Sequence, residues 1–339
     1  MTPAEALDQI AGLLVRAREP RYKVQAFQRA AKAIEPFGEA ELRRLAELGR
    51  LQQISGVGDA TAAVITDVLA GRTPAYLDKL LGRVEEHRTD AGEQLRQALR
   101  GDLHLHSDWS DGGAPILAMA TKARELGHDY IALTDHSPRL TIANGLSPER
   151  LRNQIRVVEE INRALAPFRV LTGIEVDINE DGTLDQDPDL LAEIDVVVAS
   201  VHSKLRMERS LMTKRMVRAM ENPHADILGH CTGRLVVGKG RPESEFDERV
   251  VFDACRAFDK AVEVNCRPER LDPPRRMLET IAELEVKISI DTDAHATDQL
   301  EWHPFGTDRV AEFAIPVERV VNAWPVDDLL AWCASHHPG

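Results

Sequence analysis

Aromatic residues make up only 4% of the 339-residue chain, and its four cysteines, Cys231, Cys255, Cys266 and Cys333, are scattered without CxxC spacing. That excludes a disulfide framework and a thiolate zinc finger, and reduced thiols are expected. No uninterrupted apolar run is long enough to cross a bilayer, and the opening MTPAEALDQI has no basic segment followed by an apolar one. The expectation is a soluble, cytoplasmic globular protein with no membrane attachment. No sequence repeat, low-complexity tract or GxSxG elbow for a serine nucleophile is evident. Basic excess is missing too: 42 Lys and Arg stand against 56 Asp and Glu, a net charge of −14. Residues 1–100 hold 15 Lys and Arg against 14 Asp and Glu, so the acidic excess lies beyond them. A nucleic-acid binder is normally more basic than this. Bound divalent metals would add positive charge where it matters, and a local patch can hold phosphate whatever the total.

What is present begins with helices. Residues 4–50 show helical periodicity in ALDQIAGLLVRAREP and VQAFQRAAKAIEPFG, punctuated by Pro20 and Gly38. Residues 51–71, LQQISGVGDATAAVITDVLAG, run from an apolar helix end into Gly56-Val57-Gly58 and then a second helix. This is a helix-hairpin-helix pattern: the glycines permit a tight turn, and the amides that open the second helix can hold a phosphate oxygen without regard to base sequence.

The wider segment, residues 5–80 with RYKVQAFQRAAKAI ahead of the hairpin, resembles the N-terminal small domain of family X DNA polymerases. The resemblance implies a grip on the 5′ phosphate side of a DNA gap, with Arg29 as a phosphate-binding base beside Gly56 and Gly58. The Schiff-base lysine of the lyase members is Val64 here, so lyase chemistry is not implied. VEEHRTDAGEQLRQALR, over residues 84–100, is highly charged and reads as a solvated connecting helix between a helical domain (1–83) and the remainder (101–339). Bacterial family X polymerases carry a polymerase core at this place, and fewer than twenty residues leave no room for one.

From Gly101 the texture changes to alternating strands and helices. Candidate strands are DLHLH (102–106), YIALTDH (130–136), VLTGIEV (170–176), VVVASVH (196–202), DILGHCT (226–232), AVEVN (261–265) and VKISIDTDAH (286–295). Helical segments such as PILAMATKARELG and PERLRNQIRVVEEINRAL lie between them. The alternation predicts an α/β fold, a distorted seven-stranded (β/α)7 barrel related to the TIM type, behind a small all-α domain.

Nearly every candidate strand ends in a side chain able to bind metal: His104 and His106, with Asp111 in the loop beyond, then His136, Glu175, His202, His230, Asp293 and His295. In a parallel barrel the C-terminal strand ends open on one face, so these nine residues converge there. Residues i and i+2 of a strand share a face, which places His104 beside His106 and Asp293 beside His295. Burying so many polar groups together without cations would be prohibitively costly. The remaining histidines, His87, His128, His224, His303, His336 and His337, fall in helices, loops or the tail and carry no such expectation.

DLHLHSDWSDG, TDHS, GIEVDI, SVHS, GHCTGR and DTDAH resemble the motifs of the PHP (polymerase and histidinol phosphatase) family of phosphoesterases over residues 100–325. The resemblance implies three divalent ions, Zn, Mn or Fe. Its first ion is held by His104, His106, Glu175 and Asp293, Glu175 bridges to a second held by His202 and His230, and Asp111, His136 and His295 hold a third. Cys231 stands where GHPTGR has proline, but adjacent strand residues face opposite ways, and His230 is the expected ligand.

Metals about 3.5–4 Å apart lower the pKa of a shared water and clamp a phosphate, so the expected reaction is metal-dependent phosphoester hydrolysis. His104, His106, Glu175 and Asp293 carry it, with Arg234 and Arg270 as phosphate-binding bases. Lys204 and Asn265 reach the same face. A DNA repair phosphoesterase acting on gapped, nicked or 3′-blocked DNA accounts for both domains, with a separate polymerase or ligase as partner. The alternatives are a small-molecule phosphatase of the histidinol-phosphate kind, which leaves the hairpin without a task, and a catalytically silent DNA-binding scaffold, which leaves the nine residues without one.

Overall fold

In the computed structural model, which describes residues 1–17, 19–85, 89–237 and 239–336, the chain divides into two compact units. One consists of Met1–Arg88 with Val237–Lys239, and the other of Thr89–Val236 with Gly240–Gly339. His87 and His337 lie outside the described residues. No helix among the described residues is long and apolar enough to cross a membrane.

The first unit is helical: α1 Pro3–Arg16, α2 Arg21–Ile34, α3 Glu39–Glu47, α4 Asp59–Leu69 and α5 Ala75–Glu85. Thr2 and Glu5 form a reciprocal cap that starts α1, the Thr2 amide donating to Glu5 at 2.6 Å and the Glu5 amide to Thr2 at 3.3 Å. Apolar residues at helical spacing, Leu7, Ile10 and Leu14, meet Phe27, Ala30 and Ile34 of α2 and Val64 and Ile65 of α4 in one core. Val64, at the position of the missing lysine, is buried.

A short 3₁₀ turn, Leu51–Gln53, leads into the glycine turn ahead of α4. Gly56 has φ +99°, and a Cβ there would lie 3.4 Å from the Ala33 Cβ and 3.5 Å from the Arg29 carbonyl. Gly58 is different: its φ is −107°, a Cβ would meet nothing within 4 Å, and its amide donates to the Thr61 hydroxyl at 2.9 Å. Only Gly56 is required by the backbone.

The second unit opens with α6, Asp90–Ala98. Its cap Thr89 accepts from the Gly92 amide and donates to Asp308 at 2.8 Å, and a Cβ at Gly92 would sit 2.9 Å from the Asp308 Cα. Gly92 thus lets α6 pack closely against the Asp308 backbone within the second unit.

Seven parallel strands follow: β1 Gly101–Leu105, β2 Tyr130–Leu133, β3 Arg169–Asp177, β4 Val196–Ser200, β5 Ile227–Leu228, β6 Ala261–Asn265 and β7 Lys287–Asp291. They pair in sequence order. Past the end of β7 the chain returns to β1, where the Asp293 amide donates to His104 and the His106 amide to Ala294, at 2.9 and 2.8 Å, so the sheet is a nearly closed barrel. The intervening helices are α7 Ile116–Glu125, α8 Pro148–Leu165, α9 Pro188–Leu191, α10 Arg209–Met220, α11 Glu248–Ala257 and α12 Arg275–Glu283, and α13 His303–Ala311 and α14 Val326–Ser335 follow β7.

Near-continuous apolar runs suit strands covered on both faces. Leu105, Ile131, Leu133 and Val170 pack with Ile116 and Met119 of α7 and Val158 of α8. Leu103, Tyr130, Leu171, Val196 and Ile227 pack with Leu329 and Trp332 of α14. The strand expected over 226–232 shrinks to Ile227–Leu228. Gly229 still donates to Ala199, but the His230 amide is taken by the Glu263 carboxylate at 2.5 Å, which releases the chain from the ladder.

Gly56→Ala should destabilise the first unit by about 1–2 kcal/mol through the left-handed backbone it must hold, whereas Gly58→Ala should be close to neutral. Hydrogen exchange over residues 51–69 of the intact chain checks this, and equal effects of the two substitutions would contradict it.

Candidate metal centre

The ends of β1, β2, β3, β4 and β7, with the loop after β5, bring six imidazoles and three carboxylates together. β1 alternates Asp102, His104 and His106 with Leu103 and Leu105, so the polar set faces one way and the apolar set the other. The loop beyond is pinned by buried Asp135, which accepts from the Ser107 amide (2.8 Å), the Ser107 hydroxyl (2.6 Å), the Ser110 hydroxyl (2.5 Å) and the Gln154 amide (2.6 Å). That loop delivers Asp111.

Glu175 is the hub. Its Oε2 lies 3.4 Å from His104 Nε2, 3.6 Å from His106 Nε2 and 2.8 Å from His136 Nδ1. Its Oε1 lies 3.2 Å from His202 Nε2 and 2.9 Å from His230 Nε2. Asp111 Oδ1 stands 3.5 Å from His136 Nε2, 3.4 Å from His295 Nε2 and 4.0 Å from His106 Nδ1. Asp293 Oδ1 is 3.5 Å from both His106 Nε2 and His295 Nδ1. All nine side chains singled out in the sequence thus meet.

The donor atoms fit divalent ions. Several are buried with no hydrogen-bond partner: His104 Nε2, both His106 nitrogens, His136 Nδ1 and both Glu175 oxygens. Buried polar atoms are rarely left so without an unseen partner. Ligands about 2.0–2.2 Å from a tetrahedral ion stand roughly 3.3–3.6 Å from one another, which is the spacing of His104 from Glu175 (3.4 Å), His106 from Asp293 (3.5 Å) and Asp111 from His136 (3.5 Å). Three groups have the compactness of an ion's ligand set: His106, Asp111, His136 and His295; His104, His106 and Glu175; and His136, Glu175 and His202. His106, His136 and Glu175 each serve two of them.

Charge is arranged to match. Burial pushes the Glu175 carboxyl up, but His202, His104 and His136 outweigh it and hold it well below the usual range. Burial would also lower His202, yet Glu175 and Asp177 raise it to about 9. His104 is raised well above the ordinary value, burial again being overcome by Glu263 and Glu175, while burial and the neighbouring His295 and His136 hold His106 well below it. Burial of Asp293 is outweighed by Arg267, His106 and Arg270, which keep it ionised.

Cys231 turns away, its thiol 3.8 Å from Asp272 and pushed well up by burial and that carboxylate, whereas His230 on the opposite face reaches Glu175. Asn265 donates to Asp293 at 3.2 Å. The Arg270 Nε lies 3.1 Å from Asp293, and its buried Nη1 has no hydrogen-bond partner. Arg234 is engaged elsewhere: its guanidinium donates to the carbonyls of Arg270 and Leu271 and pairs with Glu243 at 3.3 Å. Lys204 is exposed with φ +55°. The rings of His128 and His303, at the other end of β1's polar row, lie tilted with centroids 5.0 Å apart, and His303 lies 3.6 Å from Asp102.

Three residues that the sequence reading passed over touch the cluster. Asp177 contacts His202 Nδ1 at 2.7 Å, Glu263 contacts His104 Nδ1 at 2.6 Å, and Arg267 lies 3.4 Å from Asp293 and 3.2 Å from His295 Nδ1. The signal for the carboxylates was the period of two, since Asp177 shares a strand face with Glu175, and Glu263 with Asn265. Arg267 sits in a loop and had none.

Residues 102–267 match the family described as PHP domain, and residues 2–74 match that described as helix-hairpin-helix domain. A DNA polymerase/3'-5' exonuclease, PolX, of Bacillus subtilis (strain 168) is 38% identical over 234 residues, which cover 69% of this chain and 41% of that protein. The chain thus spans about two fifths of that relative's length. A "probable phosphatase" of Thermoanaerobacter sp. (strain X514) is 29% identical over 58% of this chain and 79% of its own. The crystal structure of histidinol phosphate phosphatase from Lactococcus lactis subsp. lactis, complexed with zinc, L-histidinol and phosphate, aligns at 18% identity with a TM-score of 0.44, covering 64% of this chain and 94% of that one.

Metal entry should release protons. Imidazoles bind metal only when neutral, and His202 in the metal-free protein keeps its proton up to about pH 9. Because that folded value is raised, the associated stability is fully present below about pH 6.5 and is lost as pH rises through 9. Zinc titration calorimetry at pH 7, in buffers of different ionisation enthalpy, should therefore report net proton release, and buffer-independent heats would contradict this.

Proposed function

We propose that this chain, which carries a PHP domain and an N-terminal helix-hairpin-helix domain, is a metal-dependent phosphoesterase that processes the 3′ ends of DNA. The single observation supporting it is the coexistence in one polypeptide of a buried donor cluster fit for several divalent ions and a helical module whose glycine turn is backbone-required. The helical part, residues 1–83, holds the DNA backbone at a gap or nick, and the part from residue 101 hydrolyses the ester. His104, His106, Glu175 and Asp293 would hold one ion, His202, His230 and Glu175 a second, and Asp111, His136 and His295 a third. Mn, Zn and Fe suit this nitrogen and oxygen donor set.

Divalent ions held there supply Lewis acidity toward the phosphoryl oxygens and acidify a water. The chain's own residues do the rest. The water oxygen attacks phosphorus and gives up a proton to solvent, the bond to the leaving oxygen breaks, and that oxygen takes a proton from solvent. Arg270, with its free buried Nη1, donates to a non-bridging phosphate oxygen, a charge-assisted bond. Asn265 and Arg267 hold Asp293, whose φ of +53° stores strain of order 1–3 kcal/mol, in the orientation the cluster needs. Arg234 acts at one remove, tying down the carbonyls of the loop that bears Arg270. On the DNA side, Arg29 is exposed on α2 beside the Gly56 turn, and the first amides of α4 face the same turn.

Metal-loaded protein should turn over gapped DNA bearing 3′-hydroxyl, 3′-phosphate or abasic ends faster than histidinol phosphate. His104→Ala and Asp293→Ala should lower turnover by about 10³-fold or more while leaving DNA affinity unchanged, and Arg29→Ala should weaken binding and flatten its salt dependence. Rapid hydrolysis of histidinol phosphate alone would favour the small-molecule reading.

A further inference from the structure

The geometry points to Glu263 as the positioning residue that sets two metal ligands at once, an inference that rests on the metal-centre reading above. Glu263 stands in the middle of β6, where Val262 and Val264 on the opposite face belong to the core, and it is fully buried. One carboxylate oxygen meets His104 Nδ1 at 2.6 Å; the other accepts from the His230 backbone amide at 2.5 Å and from the Asn265 side chain at 3.2 Å. A single side chain on β6 thus reaches β1 and the loop after β5.

The consequence for the centre is specific. His104 and His230 present Nε2 to opposite oxygens of Glu175, at 3.4 and 2.9 Å, with their rings 5.7 Å apart. An imidazole whose Nδ1–H is held by a carboxylate must offer Nε2 as the lone pair, and its ring plane is fixed as well. Through His104 the carboxylate fixes a tautomer; through His230 it fixes a backbone position, the same contact that ends β5 early. The spacing of the two ligands across Glu175 is then a property of Glu263. Asp177 serves only one imidazole, His202, so its loss leaves the others in place.

Glutamine keeps the shape of Glu263 but offers one acceptor oxygen where two donors, His104 Nδ1–H and the His230 amide, need one each, so an NH₂ must face one of them. Metal-free wild type, Glu263→Gln and Glu263→Asp would be titrated with zinc by chelator competition, with thermal melts recorded with and without zinc. The expected result is affinity weakened about 10–100-fold in Glu263→Gln, a smaller zinc-induced rise in Tm, and recovery of turnover at high zinc, with Glu263→Asp intermediate. Wild-type affinity in Glu263→Gln overturns the assignment. Wild-type protein that takes up no zinc overturns the metal centre itself, and this inference with it. Should Glu263→Gln not fold, ¹H–¹⁵N imidazole spectra of the zinc-loaded wild type decide: a downfield, slowly exchanging Nδ1 proton on His104, identified by its loss in His104→Gln, is expected, and an Nε2-protonated His104 contradicts the inference.

Discussion

A carboxylate buried among five imidazoles is the constraint on which this structure turns. Glu175 has no exposed surface to speak of and no conventional hydrogen-bond partner, yet five ring nitrogens stand within 3.6 Å of its two oxygens. Such a group is costly to bury unless opposite charge surrounds it. Protons on His104 and His202 meet that need in the metal-free chain and divalent ions meet it in the loaded one, so metal binding exchanges one source of positive charge for another. The centre is thereby coupled to pH and to folding.

The barrel makes this crowding possible. Parallel strands paired in sequence order place all their C-terminal ends on one rim, and the return of the chain from Asp293 and Ala294 to His104 and His106 closes the ring just where the ligands lie. Two of the loops that leave the rim are tied by buried polar hubs, one of them alongside apolar packing of Trp109 and Ala114. Asp135 gathers Ser107, Ser110 and Gln154, and the fully buried Arg215 donates to the carbonyls of Ile178, Asn179 and Ser203 behind Asp177 and His202. Rigid loops hold ligands to the few tenths of an ångström that metal selectivity demands.

The strands and the nine donors were legible because both obey simple periods. Alternation exposed His104 beside His106, and apolar runs marked the strands to within a few residues. What escaped was polar chemistry whose role depends on tertiary neighbours. Nothing local says that Glu263 spans the lumen to His104, or that Arg234 turns to backbone carbonyls while Arg270 keeps a free buried nitrogen. The shortening of β5 has the same origin, since an amide captured from across the barrel by a side chain leaves no trace in DILGHCT. Gly56 and Gly58 looked equivalent in sequence, and the φ of +99° and the close neighbours at Gly56 separate them.

The most direct test of the central claim is anomalous diffraction from crystals of the manganese-loaded protein. Three peaks within bonding distance of the Glu175, His104, His106, Asp111, His136, His202, His230, Asp293 and His295 donor atoms are predicted. Density free of anomalous peaks among those side chains, in protein that hydrolyses phosphoesters, would contradict the account.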